Sequence, residues 1–598
     1  MPDLKEFKNT FKIQDFRGQQ EKIIKHTMEG RNSLVLMPTG GGKSLCYQAP
    51  IYMQDKMGII ISPLISLMKD QVDKLRSLGL CAHFLNSSLD YEEKKEVFND
   101  IVSGECKYLY VAPESALKKS FINFIKKIDI SLIAIDESHC ISKWGHQFRP
   151  EYQALGNLIK FFPNIPIMAL TATASKVTRK DIINSLSIND ATIFLNSFNR
   201  KNIYLEFHRK KNESNQLIQY LTENFDKSGR VIIYCLSRKR VEMFTQFLQT
   251  LGHEVKGYHA GMSAQKRDQV QRWFSQKSGR IVVATIAFGM GIDLPDIRLV
   301  IHMDLPKNIE SYYQEIGRAG RDGEASSSVL FFSRRDRALL INMASSGDNN
   351  LYHKEVFGIN HIYGVARSAG CRRKLLLMGF DEKLKIQHER CCDNCEYNNN
   401  GNFVDSTEEA LRLLTLILKS PQLKNYKQWR EYIVEKKLFP KITIHFKNKQ
   451  HAVEELIFQL MGYGLLEVNF DGKLVVCRSF EQLDDFTLKI PIDRGDTRFL
   501  KPERINAKIN RELDIQSAKS VDANLNLSNY EEENLRDLLK EFRRKQAKKR
   551  RIPAYKIFSD KTIDSIIEIR PTHSNEFLEV YGFGEKKVRK YADSILQI

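Results

Sequence analysis

The feature that most constrains this chain is the stretch SLVLMPTGGGKSLCYQAP at Ser33–Pro50. An apolar run typical of a buried strand leads into three consecutive glycines, and a helix is predicted to begin near Lys43. Glycines let backbone N–H groups close around phosphates without a Cβ in the way. The partial positive charge of a helix N-terminus favours an anion at the same place. The order strand, glycine loop, helix therefore predicts a nucleotide site at the edge of a parallel α/β sheet.

The residues of this loop have distinct expected roles. Lys43 has the length to reach the β- and γ-phosphates, and Ser44 is placed to put its hydroxyl on Mg²⁺. Met37 stands where such a loop usually begins with glycine. The predicted nucleotide-binding residues of the loop are Met37, Pro38, Thr39, Gly40, Gly41, Gly42, Lys43 and Ser44.

A second apolar run, Leu132–Ile135, ends in the adjacent carboxylates Asp136 and Glu137. A run that is apolar on both faces is typical of a buried parallel strand, and ligands bind beyond the carboxyl ends of such strands. We expect Asp136 to contact Mg²⁺ and Glu137 to act as the general base for an attacking water. Two carboxylates after a strand also fit a solvated turn, but beside the Lys43 loop they favour hydrolysis.

Composition further limits the class of protein and its binding partners. The 598 residues include 92 Lys and Arg against 73 Asp and Glu, a formal net charge of +19 with a pI near 9.2. This charge suits a polyanionic partner such as nucleic acid, although a generically basic enzyme fits it as well. No apolar run approaches the roughly 20 residues that span a bilayer, and the first residues lack a signal-peptide core. We therefore expect a cytoplasmic protein that does not act at a membrane.

Several blocks together resemble a known family. MPTGGGKS, DESH and TATA at Thr171–Ala174 resemble superfamily 2 helicases. DESHCISKWGHQFRPEY at Asp136–Tyr152 and FRGQQEKII at Phe16–Ile24 resemble, more specifically, the RecQ family of DNA helicases. The resemblance implies that Arg17 and Gln20 contact the adenine nucleotide and that His139 belongs to the catalytic set.

The sequence departs from the family pattern outside the groups needed for hydrolysis. Ile13 stands where relatives often carry an aromatic residue that stacks on adenine, which weakens the expected preference for ATP. Ser138 and Gln147 are the other two departures.

A second α/β unit is predicted from Gly229–Glu242 and Ile281–His302, and it ends in SYYQEIGRAGRDG at Ser311–Gly323. Arg318 and Arg321 are three residues apart, so on a helix both project toward one face. Two such arginines also fit a solvated basic face. The resemblance implies instead that Arg321 is an arginine finger, supported by Arg318, and that Gln314 belongs to the same motif.

The loop from Cys140 to Pro150 is the main candidate for DNA contact. Aromatic rings interleaved with a cation suit base stacking and a phosphate contact. The alternative is that Trp144 packs beneath the loop. Further strand contacts implied by the resemblance are Ser62–Val72, Tyr110–Glu114 and Tyr258–Met262, and the loop's candidates are Trp144, His146, Phe148 and Arg149.

Four of the ten cysteines crowd between Cys371 and Cys395, which indicates a metal site rather than a disulfide framework. Four thiolates suit a closed, tetrahedral and structural Zn²⁺ site. The spacing that RecQ relatives commonly show would place a ligand at Glu389, and His388 is a competing fourth ligand. The predicted zinc ligands are Cys371, Cys391, Cys392 and Cys395.

The rest of the chain resembles the accessory domains of the same family. Helices followed by a hairpin at Asp471-Gly472 resemble a winged helix, in which Phe470 is either a strand-splitting wedge or plain core. The segment from Leu525 onward resembles the helical HRDC domain. Its basic run Arg543–Arg551 fits a phosphate contact or a solvated face equally.

The predicted fold is α/β: two RecA-like parallel-sheet motor domains, then a zinc-binding helical domain, a winged helix and a small all-α HRDC domain. The expected activity is ATP-dependent 3′–5′ DNA unwinding with Mg²⁺ and Zn²⁺, in a bacterial, nucleoid-associated protein. The alternatives are a duplex translocase that does not separate strands and a DNA-binding protein with an inactive motor.

Expected partners are single-stranded, forked or branched DNA, with repair or single-strand-binding proteins as candidates, and the protein is expected to be monomeric. The predicted boundaries are 1–204 and 205–342 for the motor domains, 343–402 for zinc, 403–482 for the winged helix, 483–524 for a linker and 525–598 for HRDC.

Overall fold

The computed structural model divides the chain into two compact units, Met1–Gln249 with His253–Asp496, and Thr250–Gly252 with Thr497–Ile598. It describes most of the first unit and part of the second. The described residues are 3–38, 40–63, 65–86, 89–142, 149–289, 292, 294–345, 349–382, 391–397, 403–419, 426–439, 449–468, 473–476, 488–491 and, with short gaps, 536–596.

The first unit begins with a seven-stranded parallel sheet in the order β3-β4-β2-β5-β6-β1-β7. Most of its strands are buried along their whole length because helices cover both faces, which explains their unbroken apolar runs. The strands are β1 Ser33–Leu36, β2 Met57–Ile61, β3 Ala82–Leu85, β4 Tyr108–Val111, β5 Ile130–Ile135, β6 Ile167–Thr171 and β7 Thr192–Leu195.

In the part of this domain that the structure describes, ten helices accompany the sheet, together with a 3₁₀ turn at Ser138–Ile141. They are α1 Leu4–Thr10, α2 Gln20–Met28, α3 Lys43–Tyr52, α4 Ile65–Ser77, α5 Tyr91–Ser103, α6 Pro113–Ala116, α7 Lys119–Ile125, α8 Pro150–Gln153, α9 Leu155–Ile159 and α10 Lys176–Leu186. The start of α3 at Lys43 confirms the predicted helix after the glycine loop.

A second, six-stranded parallel sheet follows in the order β10-β11-β9-β12-β13-β8. The pair of parallel sheets confirms the predicted architecture of the motor domains. The strands are β8 Ile203–Arg209, β9 Arg230–Tyr234, β10 Val255–Tyr258, β11 Ile281–Ala284, β12 Ile297–His302 and β13 Ser326–Phe332. The helices are α11 Glu213–Asn224, α12 Arg238–Thr250, α13 Ala264–Gln276, α14 Ile309–Ile316 and α15 Arg334–Ala344.

Among the residues of the first unit that are described after the second sheet, most are helical, and two small antiparallel pairs of strands accompany them. Its elements are α16 Asn349–Arg367, α17 Arg372–Gly379, α18 Asp393–Tyr397, β14 Phe403–Asp405, α19 Thr407–Lys419, α20 Tyr426–Glu435, α21 Lys449–Gly462, β15 Leu466–Val468, β16 Leu474–Val476 and β17 Lys489–Pro491. β15 and β16 form the hairpin predicted around Asp471-Gly472. Its turn and Phe470 lie outside the described residues.

Part of the predicted linker was wrong. Lys489–Pro491 forms β17 and pairs with β14, so residues 488–491 close the helical region. Leu488, just before β17, is fully buried in the same core, and its N–H donates to the hydroxyl of Thr407. The segment is too short to show a periodic pattern, so no strand could be predicted there.

Helices α16 and α21 pack with their backbones in close approach. A Cβ on Gly364 would lie 2.3 Å from the carbonyl oxygen of Phe458, and one on Gly462 would lie 2.6 Å from Gly364. Beside this contact the buried Arg367 pairs with Glu455. The region after the second sheet is thus held by glycine contacts and a buried ion pair, and one apolar core runs through it into both sheets.

The second unit has its own apolar core, which includes Leu539, Phe577 and Tyr591. It contains α22 Asp560–Ile569, a 3₁₀ turn at Ser574–Leu578 and α23 Glu585–Ile595. Arg543, the first residue of the predicted basic run, pairs with Asp560 at 2.8 Å and donates to the carbonyl of Phe558. This arginine therefore has a structural role. Among the residues described in both units, no helix is long and apolar enough to cross a membrane.

Candidate nucleotide-hydrolysis site and cysteine cluster

The glycine-rich loop leaves the first sheet after β1 and enters α3 at Lys43. Gly40 and Gly42 have φ angles of 80° and 79°, a region that glycine adopts without strain. A Cβ on Gly42 would lie 2.4 Å from Nε2 of Gln20. Ser44 follows in the first turn of α3, partly exposed, whereas Thr39 lies outside the described residues.

The loop accommodates Met37 at the position where glycine is usual because the Met37 side chain points into the core. Its side chain is 1% exposed, and the Cys46 thiol donates to its sulfur at 3.6 Å. Its N–H donates to the carbonyl of Thr171 at the end of β6. The side chain therefore fills the core beneath the loop and leaves the phosphate side clear.

Gln20 is buried against the loop. Its Oε1 accepts from the N–H of Arg17 at 2.7 Å, and its Nε2 donates to the carbonyls of Gly41 at 3.2 Å and Gly42 at 3.0 Å. In this arrangement Gln20 braces the loop, so it would have to exchange these partners to contact an adenine base. Arg17 itself lines the pocket beside the loop.

The two predicted carboxylates stand at the carboxyl end of β5, next to the loop. The N–H of Asp136 donates to Ile61 of β2 at 2.9 Å, and the N–H of Glu137 donates to Oδ1 of Asp136 at 2.9 Å. Glu137 has a φ of 49°, unusual for a residue with a side chain. Its Oε1 lies 3.7 Å from Nζ of Lys43. The fold thus brings Lys43, Asp136 and Glu137 together, as the sequence predicted.

His139 connects this group to β6. Its Nδ1 lies 3.2 Å from Oε2 of Glu137 and 2.9 Å from the hydroxyl of Thr171. That hydroxyl in turn donates to the carbonyl of Thr173 at 3.1 Å. The DESH and TATA segments therefore form one network, which links the carboxylate of Glu137 to the strand that pairs with β1.

Burial shifts the pKa of the Asp136 carboxyl, and hydrogen bonds shift that of the neighbouring His139. Burial, followed by the nearby charge of Glu137, raises the pKa of Asp136 to about 6, although Lys43 opposes this shift. Burial alone would lower the pKa of His139, but hydrogen bonds with Cys140 and Glu137 raise it to about 10. A divalent cation at Asp136 would favour its charged form, as the predicted Mg²⁺ role requires.

The second sheet supplies the facing wall. A Cβ on Gly40 would lie 3.1 Å from Cγ of Arg321, so the arginine lies directly against the phosphate loop. Arg318 is buried and donates to the carbonyl of Gly289. Gln314 is partly buried on α14, one turn before Arg318. The two arginines therefore differ: Arg318 is fixed inside its own domain, and Arg321 reaches the other.

A pocket of about 400 Å³ lies between these walls. Its lining comes from both sheets and from the segment that joins them: Arg17, Gly18, Gln19, Pro38, Gly40, Gly41, Leu195, Asn196, Ser197, Arg200, Asn202, Gly320, Arg321 and Gly323. A pocket lined by glycine backbone, arginines and a helix N-terminus suits a polyphosphate.

Arg200 is a further residue at this site, and no motif in the sequence indicated it. This residue, between β7 and β8, donates to the carbonyls of Gly317 at 3.0 Å, Ala319 at 2.7 Å and Gly320 at 2.9 Å. It thus holds the segment that carries Arg318 and Arg321. Its hydrogen bonds go to backbone atoms more than a hundred residues away, and no spacing in the sequence signals such contacts.

Of the four candidates in the loop Cys140–Pro150, only Arg149 lies within the described residues. Its Nη1 donates to the carbonyl of Pro63 at 3.0 Å, and its N–H donates to that of Cys140 at 2.9 Å. The loop is therefore tied to the candidate segment Ser62–Val72. Trp144, His146 and Phe148 lie outside the described residues.

Four thiols gather after the second sheet. The Sγ atoms of Cys371, Cys391, Cys392 and Cys395 all lie within 4.8 Å of one another. The Cys371–Cys391 and Cys391–Cys395 separations are 3.5 and 3.8 Å. These are too long for disulfides, but they match the edge of about 3.8 Å in a tetrahedron with Zn–S bonds of about 2.3 Å. The donor set thus fits Zn²⁺ with Cys391 in place, while His388 lies outside the described residues.

The surroundings of these thiols favour negatively charged sulfur. The N–H of Arg372 points at Sγ of Cys392 at 3.4 Å, and that of Lys374 points at Sγ of Cys371 at 3.5 Å. Hydrogen bonding among the four thiols lowers the pKa of Cys391 and Cys392 and raises that of Cys371 and Cys395. Zinc binds the thiolate form, so this chemistry suits the metal.

A second group, Cys81, His83 and Asp100, also brings possible ligand atoms within 4.8 Å of one another. Here Nη2 of Arg76 lies 2.9 Å from Nδ1 of His83, and Nε2 lies 2.7 Å from Oδ2 of Asp100. Arginine can only donate, so Nδ1 of His83 accepts a hydrogen bond. Nε2 of His83 therefore carries the ring proton and donates a hydrogen bond to Asp100. The imidazole has no lone pair left for a metal, and the group is a structural hydrogen-bond network.

Comparison with known proteins agrees with this geometry. Residues 17–182 match the DEAD/DEAH box helicase family, residues 212–323 the helicase conserved C-terminal domain, and residues 532–598 the HRDC domain. The ATP-dependent DNA helicase RecQ of Pasteurella multocida is 37% identical, with 98% of this chain and 92% of the relative covered. The RecQ helicases of Haemophilus influenzae and Bacillus subtilis are 35% and 33% identical, with 99% and 98% of this chain and 94% and 96% of the relatives covered.

The chain belongs to the RecQ family of DNA helicases. The resemblance carried by Asp136–Tyr152 and Phe16–Ile24 is thereby confirmed, as are the paired motor sheets and the HRDC domain. The RecQ relatives match nearly the whole chain, so the cysteine cluster lies within the family's shared length.

Proposed function

We propose that this RecQ-family protein is an ATP-dependent DNA helicase that moves 3′ to 5′ along one strand and separates duplex or branched DNA. One observation supports this most. The hydrolytic group of Lys43, Asp136 and Glu137 stands on one sheet, and Arg321 of the other sheet lies against the same phosphate loop. A site shared between two domains changes as they open and close, which is what a motor requires.

In this proposal Lys43 and the loop N–H groups bind the β- and γ-phosphates of ATP. Mg²⁺ held through Ser44 and Asp136 would supply positive charge to the phosphate oxygens. Glu137 accepts the proton of the water that attacks the γ-phosphorus, while the bond from that phosphorus to the bridging oxygen breaks and ADP leaves. Arg321 stabilises the charge that develops, an effect worth about 10³–10⁵ in rate.

The supporting residues keep these groups in position. His139 holds Glu137 and Thr171 together, and Arg318 fixes the segment that ends in Arg321. Gln314, on helix α14 just before this segment, acts as a further member of the catalytic set. We assign nucleotide contacts to Arg17 and to the residues of the phosphate loop as well. Gln20 braces the loop when no adenine base is bound, and it exchanges these hydrogen bonds for contacts with the base when ATP binds.

DNA would lie across both motor domains, so that opening and closing of the nucleotide pocket moves one domain along the strand. We assign Trp144, His146, Phe148 and Arg149 to the sensing of single-stranded DNA. The contact of Arg149 with Pro63 supports this assignment, because it joins that loop to a second candidate DNA segment.

The remaining domains serve DNA binding and stability. We place the motor domains at 1–204 and 205–342, the zinc domain at 343–402, a winged helix from 403 through β17, and the HRDC domain in 525–598. Zn²⁺ on the four clustered cysteines is structural, since all four positions are taken by protein. We further propose a monomer that works on chromosomal DNA in the bacterial cytoplasm, alongside repair or single-strand-binding proteins.

Strand separation on forked duplexes with a 3′ or a 5′ single-stranded tail tests the proposal. We expect ATP-dependent unwinding of the 3′-tailed fork and little of the 5′-tailed one. Hydrolysis stimulated by duplex without strand separation would indicate a duplex translocase. DNA binding without hydrolysis would indicate an inactive motor.

A further inference from the structure

The segment between the two sheets, Ser197–Asn202, is held by residues that follow the second sheet. Glu382 accepts hydrogen bonds from the hydroxyl of Ser197 and from the N–H of Phe198. Phe380 stacks on Phe198, with ring centroids 4.8 Å apart and an interplanar angle of 26°. We call Ser197–Asn202 the hinge segment, because it is where the chain passes from β7 to β8.

Arg373 holds the other end of the hinge segment. Its guanidinium donates to Oδ1 of Asn199 at 3.0 Å, to the carbonyl of Arg200 at 2.5 Å and to that of Ile203 at 2.6 Å. The residue is 5% exposed. A guanidinium can bridge three oxygens in this way because its donors are fixed in a planar fork.

The cysteine cluster fixes Arg373 in turn. Arg373 lies two residues after Cys371, and its Nη2 lies 3.4 Å from the carbonyl oxygen of Cys391. Cys392 also pairs with Leu205 of β8, and Asp393 accepts from the N–H of Phe207. The cluster is therefore docked on the strand that the hinge segment enters.

The same residues contact the first domain. Arg179 of α10 donates to the carbonyl of Phe380 at 3.3 Å and to that of Ala174, the last residue of TATA, at 3.0 Å. The segment Cys371–Glu382 thus touches the first domain, the hinge segment and the second domain at once.

The hinge segment leads directly to the catalytic arginine. Arg200, whose carbonyl Arg373 binds, uses its own guanidinium to hold the carbonyls of Gly317, Ala319 and Gly320. Arg321 follows immediately and lies against Gly40. Hydrogen bonds therefore connect the cysteine cluster to Gly320, and the next residue along the backbone is Arg321.

We propose that the segment Cys371–Glu382 is a clamp on the hinge, and that Arg373 and Glu382 are positioning residues for hydrolysis. They position Arg200, and Arg200 in turn positions Arg321 against the phosphate loop. The clamp rests on the proposed function, since it assigns these residues to the same ATP site. It predicts a loss in kcat rather than in nucleotide binding, because neither residue lines the pocket.

Glu382→Ala tests the clamp, with Glu396→Ala as its matched control. Glu396 is an exposed carboxylate of the same region whose partner is the hydroxyl of Tyr204 in β8, outside the hinge segment. We expect Glu382→Ala to lower the kcat of DNA-stimulated ATP hydrolysis about tenfold, with the KM for ATP and the zinc content unchanged. Glu382→Gln, which keeps one acceptor oxygen, should recover part of the loss. Arg373→Lys, which cannot bridge three oxygens, should show the same split between kcat and KM.

Hydrogen exchange gives a readout independent of activity. Amides of Phe198–Arg200 and of Gly317–Arg321 should exchange faster in Glu382→Ala than in the wild type, and as slowly as wild type in Glu396→Ala. Unchanged exchange and unchanged kcat in a folded, zinc-loaded Glu382→Ala protein would overturn the clamp, as would equal losses in the two alanine variants. If the wild type itself neither hydrolyses ATP nor unwinds DNA, the proposed function fails instead.

Discussion

The nucleotide site and the cysteine cluster are built in opposite ways. Lys43, Glu137 and Arg321 come from segments far apart in the chain. Lys43 and Glu137 meet at one edge of the first sheet, and Arg321 reaches the phosphate loop from the domain of the second sheet. The four cysteines lie within 371–395 and face one another, with backbone N–H groups directed at their sulfurs. The first arrangement leaves polar groups directed at a pocket, whereas the second satisfies its groups internally.

Because of this difference, we expect substitutions in the two regions to have different effects. Removing a group from the nucleotide site removes chemistry but little packing, because its partners still face solvent or ligand. Removing a thiol from the cluster takes away a metal ligand, and the free energy of metal binding is part of the folding free energy. The nucleotide site should therefore fail in rate and the cluster in stability.

The largest effect should come from Lys43→Ala. We expect ATP hydrolysis to fall by about 10³-fold or more, because the ammonium that faces the phosphates is lost. Thermal stability and affinity for single-stranded DNA should stay close to wild type. Steady-state ATPase, differential scanning calorimetry and DNA titration check this, and near-normal turnover would remove Lys43 from the phosphate site.

Cys395→Ser should show the opposite pattern. We expect loss of stoichiometric zinc and a destabilisation on the order of 4 kcal/mol, since loss of a structural metal ranks among the largest single-site effects. Metal analysis and calorimetry measure both quantities. Cys81→Ser is the control, because His83 in that group has no lone pair for a metal, and it should keep its zinc. A wild-type protein without one zinc per chain would refute the cluster's assignment.

A smaller effect concerns pH. Burial raises the pKa of Asp136 to about 6, so this carboxyl is charged above that pH and neutral below it. The apparent affinity for Mg²⁺ should therefore weaken by about tenfold for each pH unit below 6, as one proton displaces the cation. Titrating Mg²⁺ into the ATPase assay between pH 5 and 8 measures this. A flat profile across that range would mean that Asp136 does not hold the cation.

The sequence predicted that Lys43, Asp136 and Glu137 come together, because each lies in a short segment with a recognisable local pattern. Lys43 follows glycines at the start of a helix, and Asp136 and Glu137 follow a buried strand. It also predicted the four cysteines, including Cys391 where relatives commonly place the ligand two positions earlier.

It could not predict Arg200, Arg373 or Glu382. These residues hydrogen-bond to backbone and side-chain groups of distant segments, and no local pattern marks a side chain whose partner is a remote carbonyl. β17 was missed for a related reason, because a three-residue strand is too short to show periodicity and depends on its pairing with β14. The adenine contact expected of Gln20 stays a prediction, since the residue is bound to the phosphate loop.

Strand separation should depend on one ATP site shared by the two motor domains, and Arg321→Ala removes the second domain's contribution to that site. ATP affinity, hydrolysis and unwinding of a 3′-tailed fork are measured on the same preparation. We predict ATP affinity within a few-fold of wild type, with hydrolysis reduced by about 10³-fold and unwinding lost with it. Hydrolysis and unwinding at wild-type rates in the folded variant would contradict the claim, because the second sheet would then contribute nothing to the reaction.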